Sequence, residues 1–322
     1  MRQTNARPSI AIIGAGICGL RCANLLSDNG FDCTLFDKSR GVGGRTSTRR
    51  AEQWRFDHGA GYFTATDPDF FAAMQILQPW LPTESGEQMY AGATGSNELA
   101  KSLFAAVSQK LTAQLGTAIK SVEKEANSRW LLNAQTGETY GPFDLVISTA
   151  PPPQAVQILA PTESPVSQSL TTLQTLCTWA LMLVTETELP IPDLVSKPNH
   201  NIARVIAEHS KPGRRTSATK QGQYVIQAST EFSQLHVADD PAAITQKLLE
   251  QLHDLYGPLP VIVHKQIHRW LHGGILTPLG KPYLWDKETG IAAAGDWCTG
   301  NNAEDAFISG SKLAHAIVQR FS

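Results

Sequence analysis

Short, mostly apolar runs alternate along the chain with longer stretches in which apolar residues recur every three or four positions, the pattern of an α/β protein. Ser9–Ile13 suits a strand buried on both faces, and a helical pattern follows from Ile17 to Asn29. "FDCTLF", Phe31–Phe36, predicts a second strand that ends at Asp37. Leu99, Leu103, Val107, Leu111 and Leu115 stand at four-residue intervals, which predicts one amphipathic helix across that stretch with Asn97 as its cap. Strands are expected over 118–123 and 130–134, with a turn at Thr136-Gly137. "FDLVIST", Phe143–Thr149, is another buried strand and stops at Pro151-Pro152-Pro153, a natural crossing into a second domain. Near the end, Ile291–Ala294 predicts a strand and Ala303 opens a helix.

Between these parts, "CTWALMLV", "IARVIAEH", "YVIQAS" and "VIVHKQIHRW" read as strands, and 241–255 as a helix. The fold class is therefore α/β: a Rossmann-type dinucleotide domain plus a mixed α+β substrate domain with a mostly antiparallel sheet. The first domain is discontinuous, 1–52, 97–150 and 286–322; the second takes 53–96 and 151–285, and its sheet is expected to roof the cofactor.

The first strand runs into "GAGICGL". Gly14 allows the tight turn, Gly16 lets the backbone approach a pyrophosphate, and Gly19 lets helix and strand pack closely, with the helix N-terminus facing the phosphates. Asp37, 18 residues past Gly19, stands where a carboxylate accepts hydrogen bonds from an adenosine ribose. A second glycine cluster, Gly43-Gly44 with Arg45, follows at once, and Gly295-Asp296 forms another strand-to-helix turn at the far end. Contacts at both ends of the chain suit an extended FAD better than a nicotinamide dinucleotide held in one local unit.

Lys and Arg total 27 against 29 Asp and Glu, a net charge of -2, so no global basic field attracts nucleic acid or anionic lipid. Five cysteines, odd in number and never in C-x-x-C, argue against a disulfide framework or zinc site and fit a reducing cytoplasm. No stretch reaches 18 uninterrupted apolar residues, and no apolar leader precedes the first strand, so neither a membrane span nor a signal peptide is expected.

The set "GAGICGL", "FDKSRGVGGRTSTRR", "FDHGAGYF", "DLVISTAPP" and "AGDWCTGNNAEDAFISG" resembles the flavin amine oxidase superfamily, and within it the bacterial renalases. The resemblance implies that Gly14, Ala15, Gly16, Ile17, Cys18 and Gly19 line the pyrophosphate. It puts Asp37 at the adenosine ribose, Ile119 at the adenine and Arg45 at the phosphate and ribityl region, and counts Phe36, Lys38, Gly43 and Gly44 among the cofactor-binding residues. His58, Gly59 and Ala60 run beside the isoalloxazine, Gly295 and Asp296 meet the ribityl phosphates, and the helix start at Ala303, Ala306 and Phe307 faces the flavin pyrimidine. Asp305 departs from the superfamily, which commonly has glycine there. No cysteine occupies the segment just before Ile291, where covalently linked members attach their flavin, so FAD is expected to be non-covalent.

Tyr62, Tyr283, Trp285 and Trp297 are candidates for an aromatic slot over the flavin, and core packing explains each of them equally well. His236 and Gln227 are candidate polar contacts from the roof. His264, His268 and His272 repeat every fourth residue, but their stretch reads as a strand and no metal is assigned. The basic stretch from Lys211 to Gln221 either meets substrate phosphates or is an exposed loop. Lacking any defensible Ser-His-Asp or paired-carboxylate pattern, the chain is expected to leave hydride chemistry to its flavin. The renalase resemblance implies oxidation of 2- or 6-dihydro isomers of NAD(P) to NAD(P)+, with O2 as acceptor and hydrogen peroxide as product, a metabolite-repair activity. Open beside it stand a small-amine oxidase or carotenoid-type desaturase, and a non-catalytic binding protein of the same fold. A monomer or weak dimer is expected.

Overall fold

The computed structural model describes residues 7–125, 128–214 and 220–322. Its centre is a six-stranded sheet in the order Leu284–Asp286, Ile291–Ala293, Leu145–Ser148, Ile10–Ile13, Cys33–Asp37, Thr112–Leu115. The strands pair in parallel except for the antiparallel edge hairpin of 284–286 with 291–293. All four residues of Ile10–Ile13 are buried, as a strand covered on both faces requires. Helices Ile17–Asp28 and Ala303–Phe321 pack on one face around Leu20, Leu26, Leu313 and Ile317. On the other face lie a three-stranded antiparallel sheet, Ile119–Lys124, Trp130–Ala134 and Thr139–Phe143, and helices Pro152–Leu159 and Pro165–Leu170.

The second sheet has five antiparallel strands in the order Leu194–Ser196, Ile202–Ala207, Gly222–Ala228, Thr175–Thr185, Ile262–Ile275. Alternation sets its two faces. Cys177, Trp179, Leu181 and Leu183 point to helices Thr230–Leu235 and Pro241–Tyr256. Ala180, Met182 and Val184 point the other way, onto Trp54 and Phe56 of the hairpin Arg49–Ala51/Trp54–Phe56. The long helix is set by local chemistry: the Asp240 side chain caps the N–H groups of Ala242 and Ala243, Pro241 opens the first turn, Ile244, Leu248 and Leu252 face the sheet, and Gly257 ends it. No described helix is long and apolar enough to cross a membrane.

Three expectations are corrected. The helix over 97–115 stops at Val107, and Leu111 and Leu115 belong to a turn and to the edge strand Thr112–Leu115, which pairs with Cys33–Asp37. Its cap position is Ser96, whose hydroxyl donates to the Ala60 carbonyl, while Asn97 is the first helical residue. The prolines at 151–153 do not lead straight into the second sheet: they open a helix that packs against Ile119–Lys124, and the roof begins only at Thr175.

Candidate functional site

The first strand hands over to its helix through a cradle open on one side. Gly14 has φ +115°, and a Cβ there meets the Thr149 hydroxyl at 2.4 Å; one on Gly19 lies 1.9 Å from the Gly14 carbonyl oxygen. Around Gly16, by contrast, a Cβ meets nothing within 4 Å. Gly16 caps the helix with no side-chain bond, and the first turn carries no acid, so its N–H groups face that open side with positive dipole and no internal anion. Ala15 and Ser39 each donate a backbone N–H to the Asp37 carboxylate at 2.7 Å. The Asp37 carbonyl accepts from Thr117 and that of Ser39 from Gly116, which lays the chain leading to Ile119 beside the carboxylate. Phe36 turns its ring to Tyr140 and Phe143, so only its carbonyl, which accepts from Gly14, belongs to the cradle. Cys18 is buried, its thiol pushed well up by that burial.

Gly43 and Gly44, at φ +121° and +53°, turn the chain so that Arg45 crosses to the far end of the sequence. Its guanidinium forks onto Asp296 at 2.7 and 2.6 Å and also donates to the Gly273 carbonyl at 3.3 Å. Arg45, Asp296 and Trp297 line a narrow cleft with Pro151, Pro152, Thr175, His272 and Gly274. Gly295 must lack a side chain there, because a Cβ on it lies 2.2 Å from the Trp297 indole nitrogen, itself buried without a partner. The last helix starts with a capping box: Asp305 N–H donates to the Asn302 side chain at 2.8 Å, and Asn302 N–H to the Asp305 carboxylate at 3.2 Å. The departure at Asp305 thus has a local reason. Ala303 and Ala306 are half-buried in that first turn, with Ala306 N–H donating to Asn302 O, while Phe307 is in the core against Phe70 and under the Arg21 guanidinium.

His58, Gly59 and Ala60 pass between this turn and the roof. Ala60 N–H donates to the Arg45 carbonyl at 3.0 Å, and a Cβ on Gly59 lies 2.0 Å from that same oxygen. From above, Gln227 Nε2 donates to Gly59 O at 2.7 Å and Trp270 Nε1 to His58 O at 2.8 Å. Strand register puts Arg204, Gln227, Ala180 and His268 in one row across this face. Arg204 donates to Gln227 at 3.3 Å and lies 5.7 Å above the Tyr62 ring, which neighbours Trp80. His58, His268 and Trp270 pack within 5.0 Å of one another, ring centre to ring centre. Burial, then His268 and Arg49, lowers His58 to a pKa of about 4, and burial with Arg49 also lowers His268, so both are neutral at pH 7. Behind them, Asp57 and Glu208 share Lys211 and Arg214 in a buried quartet, which also takes up Ser96 N–H and the Thr48 hydroxyl at Asp57.

The expected site residues divide. Tyr62, Gln227 and Trp297 join the glycine clusters, Arg45 and Asp296 around one path, with Lys38 exposed beside it. Tyr283 and Trp285 do not: they pack with the layer of helices Ile17–Asp28 and Ala303–Phe321, at the edge hairpin of the six-stranded sheet. Nor does His236, which ends helix Thr230–Leu235 on the helix-covered face, bonded to Asp239. It borders an open groove of about 1070 Å³, shared with His200, Leu235, Lys247 and Gln251. His264, His268 and His272 share a strand but not an environment: against Trp54 and Phe56, against His58, and on Thr175. Among the described residues no three ligating side chains converge. Lys211 and Arg214, expected in an exposed or substrate-facing stretch, are buried in the quartet, while 215–219 lie outside the described residues. The sequence reading missed Arg204, Trp270, Arg49 and Thr175; strand alternation marks the face of Arg204 and Trp270, but only pairing shows that they share it, and Arg49 and Thr175 reach the site from other elements or the strand's end.

A family model described as flavin containing amine oxidoreductase matches residues 68–318, and one for an NAD(P)-binding Rossmann-like domain matches 12–77. A phytoene desaturase of Cercospora nicotianae is 39% identical over 59 residues, 18% of this chain and 10% of that protein. A carotenoid 3,4-desaturase of Haloarcula japonica is 36% identical over 58 residues, 18% of this chain and 12% of that protein. The matched stretch thus spans about a tenth of these relatives. Among solved structures, a putative protoporphyrinogen oxidase from Exiguobacterium sp. 255-15 aligns with TM-score 0.78 at 15% identity, covering 97% of this chain and 99% of that one. A reduced UDP-galactopyranose mutase aligns at TM-score 0.75 and 12% identity over 97% and 96%, and a putrescine oxidase double mutant at 0.68 and 13% over 98% and 99%. At these identities the likeness is one of fold. The cradle fits a dinucleotide: open space at Gly16, an uncapped helix start, and a cleft at the Arg45–Asp296 pair.

Proposed function

Since the chain belongs to the flavin containing amine oxidoreductase family and uses FAD, we propose that it oxidises the 2- or 6-dihydro isomers of NAD(P) to NAD(P)+, with O2 reduced to hydrogen peroxide. The observation that carries this reading is the charge of the roof above His58–Ala60. Arg204 projects there with Gln227 and His268, Arg49 stands behind, and the nearby carboxylates Asp57 and Glu208 are already paired with Lys211 and Arg214. Such a surface favours an anionic dinucleotide and disfavours a cationic amine. An apolar polyene would leave the remaining Arg204 N–H groups desolvated, at about 1–3 kcal/mol for each unmade bond. The desaturase relatives match this chain only over 50 to 59 residues, which says nothing of the roof.

When bound, FAD supplies hydride acceptance from the dihydronicotinamide and passage of the electron pair to O2, so that substrate, O2 and one proton give NAD(P)+ and H2O2. The protein's own contribution is placement. Gln227 and Trp270 hold the Gly59 and His58 carbonyls, Ser96 holds that of Ala60, and these fix a wall that would lie beside the bound ring. Arg204 orients the anionic part of the substrate, and its charge disfavours a competing cation.

The test is anaerobic mixing of the oxidised holoprotein with 2- and 6-dihydro isomers of NAD(P), ordinary 4-dihydro NADH, and a panel of amines and polyenes, following loss of the visible flavin band. Rapid bleaching by the 2- or 6-isomers alone supports the proposal. Bleaching by an amine or polyene while the isomers are inert overturns it.

A further inference from the structure

The third histidine of the every-fourth-residue series has no part in the roof. His272 lies in the irregularity of the strand Ile262–Ile275 between Trp270 and Gly274, beside the cofactor cleft. The next residue, Gly273, offers its carbonyl to Arg45, and Ile275 is held at both its N–H and its carbonyl by the Asn301 side chain, at 2.5 and 3.0 Å. This end of the strand is therefore fixed against the Arg45–Asp296 pair. The His272 ring is fixed too, because Nδ1 is 2.9 Å from the Thr175 hydroxyl. When that hydroxyl donates, the neutral ring carries its proton on Nε2; when the ring is protonated, both nitrogens donate and the hydroxyl accepts. With the hydroxyl donating to Nδ1, or with the ring protonated, Nε2 is an N–H donor on a residue that lines the cleft.

The charged groups facing His272 are Lys38, after the strand Cys33–Asp37, Arg45 on the turn Gly44–Thr46, and Asp296 on the turn Asp296–Cys298. Asp296 is already matched by the forked Arg45, so an anion entering the cleft finds Lys38, His272 and the unpartnered Trp297 indole N–H as donors not committed to another protein group, and of these only His272 titrates near neutral pH.

We propose that His272 is a ligand of the FAD phosphate and ribityl-phosphate chain, and that protonation of its ring tightens the hold on the cofactor. Before the cofactor is bound, burial first and then the Lys38 and Arg45 charges lower the pKa of His272, so the ring is neutral at pH 7. A diphosphate beside it reverses the sign of its surroundings, raises its proton affinity, and makes FAD binding take up a proton. Affinity for FAD then rises as pH falls through the raised value. A rise of one unit on binding corresponds to up to tenfold tighter holding below both values. The inference rests on FAD as cofactor and is independent of which substrate is oxidised.

The test is the rate of FAD release from diluted holoprotein, followed by recovery of flavin fluorescence between pH 5.5 and pH 8. The wild-type protein is expected to release FAD roughly three- to tenfold more slowly at pH 5.5 than at pH 8. His272→Gln retains an N–H donor that cannot titrate and is expected to release at a pH-independent rate. Thr175→Val removes the hydroxyl that sets the tautomer, and is expected to speed release at pH 8 while leaving pH 5.5 unchanged, which steepens the dependence. A flat wild-type profile overturns the proposal without any variant, as does His272→Gln with the wild-type slope or Thr175→Val with an unchanged one.

Discussion

Replacing Lys211 by Met tests whether the buried quartet holds the flavin wall in place. Lys211 Nζ lies 2.9 Å from Asp57 and 2.6 Å from Glu208, and all three side chains have no exposed surface. Met fills a similar volume, so the perturbation is electrostatic more than a cavity. Removing one partner of a buried pair costs about 3–5 kcal/mol, and because Arg214 still contacts both carboxylates the low end, about 3 kcal/mol, is expected. With an unfolding entropy of roughly 2.1 cal/mol/K per residue, 322 residues convert this to a fall in Tm of about 4–5 °C. The loss must also depend on pH. Asp57 is held well below the ordinary range: burial pushes it up, but Lys211 and Arg214 more than offset that. Glu208 is pushed up by burial in spite of the same two cations. A raised carboxyl stabilises the fold below its unfolded value and loses that contribution as pH rises through its folded value. Without Lys211 the Glu208 value climbs further, so the deficit is expected to be full at pH 8 and smaller at pH 5. Thermal melts of the FAD-loaded proteins at both pH values measure it. A fall below 1 °C at pH 8, or the same fall at both, refutes the reasoning. The double variant Lys211→Met/Glu208→Gln, which leaves the Asp57–Arg214 pair, is expected to recover at least half the loss.

Two glycines separate cofactor contact from packing. Gly16→Ala puts a methyl where no protein atom lies within 4 Å, so the apoprotein melt should stay within about 1 °C while FAD affinity, by fluorescence titration, falls at least about tenfold, or 1.4 kcal/mol. Gly59→Ala instead drives a methyl to 2.0 Å from the Arg45 carbonyl, so apoprotein stability should itself drop by about 1–3 kcal/mol. Gln227→Leu strips the Gly59 carbonyl of its donor and should shift the visible flavin band while costing about 1–2 kcal/mol in a denaturant melt. All five cysteines are buried, with Cys33 and Cys298 pushed up to about 12 mainly by burial, so an Ellman-type reagent at pH 8 should label none of them faster than the protein unfolds.

What the sequence made legible is chemistry completed within a few dozen residues. Strand, glycines, helix and Asp37 form one local unit, and each glycine's geometry follows from contacts inside it or one strand away. The capping box at Asn302 and Asp305 is equally local, and it explains by hydrogen bonding what reads as a departure when only the family pattern is consulted. Periodicity failed where two elements happened to keep one spacing. Leu111 and Leu115 continue the four-residue rhythm of Leu99, Leu103 and Val107, yet the chain turns after Val107 because the free edge of Cys33–Asp37 takes 112–115 as a strand. Nothing in the short run "TAQL" marks it as a strand apart from that partner.

Two aromatic candidates, Tyr283 and Trp285, stand away from the cleft for a related reason: proximity in sequence to a cofactor motif is not proximity to the site it builds. Tyr283 and Trp285 precede Gly295 by about ten residues but leave on an edge hairpin toward the helix layer, while Trp270 and Arg204 reach the wall beneath the roof through sheet pairing alone. Charge was the hardest signal to read. The quartet takes two acids and two bases out of solvent together, so it leaves the net charge of -2 unchanged and makes "KPGRR" look like an exposed loop. Asp57 stands 154 positions from Lys211, and only the fold brings it within 2.9 Å. Burying Lys211 without that partner would leave an uncompensated charge, so the placement of one residue is decided by the other. For that reason Lys211→Met and a substitution at Asp57 should disturb the same segment, His58–Ala60, from positions 154 residues apart.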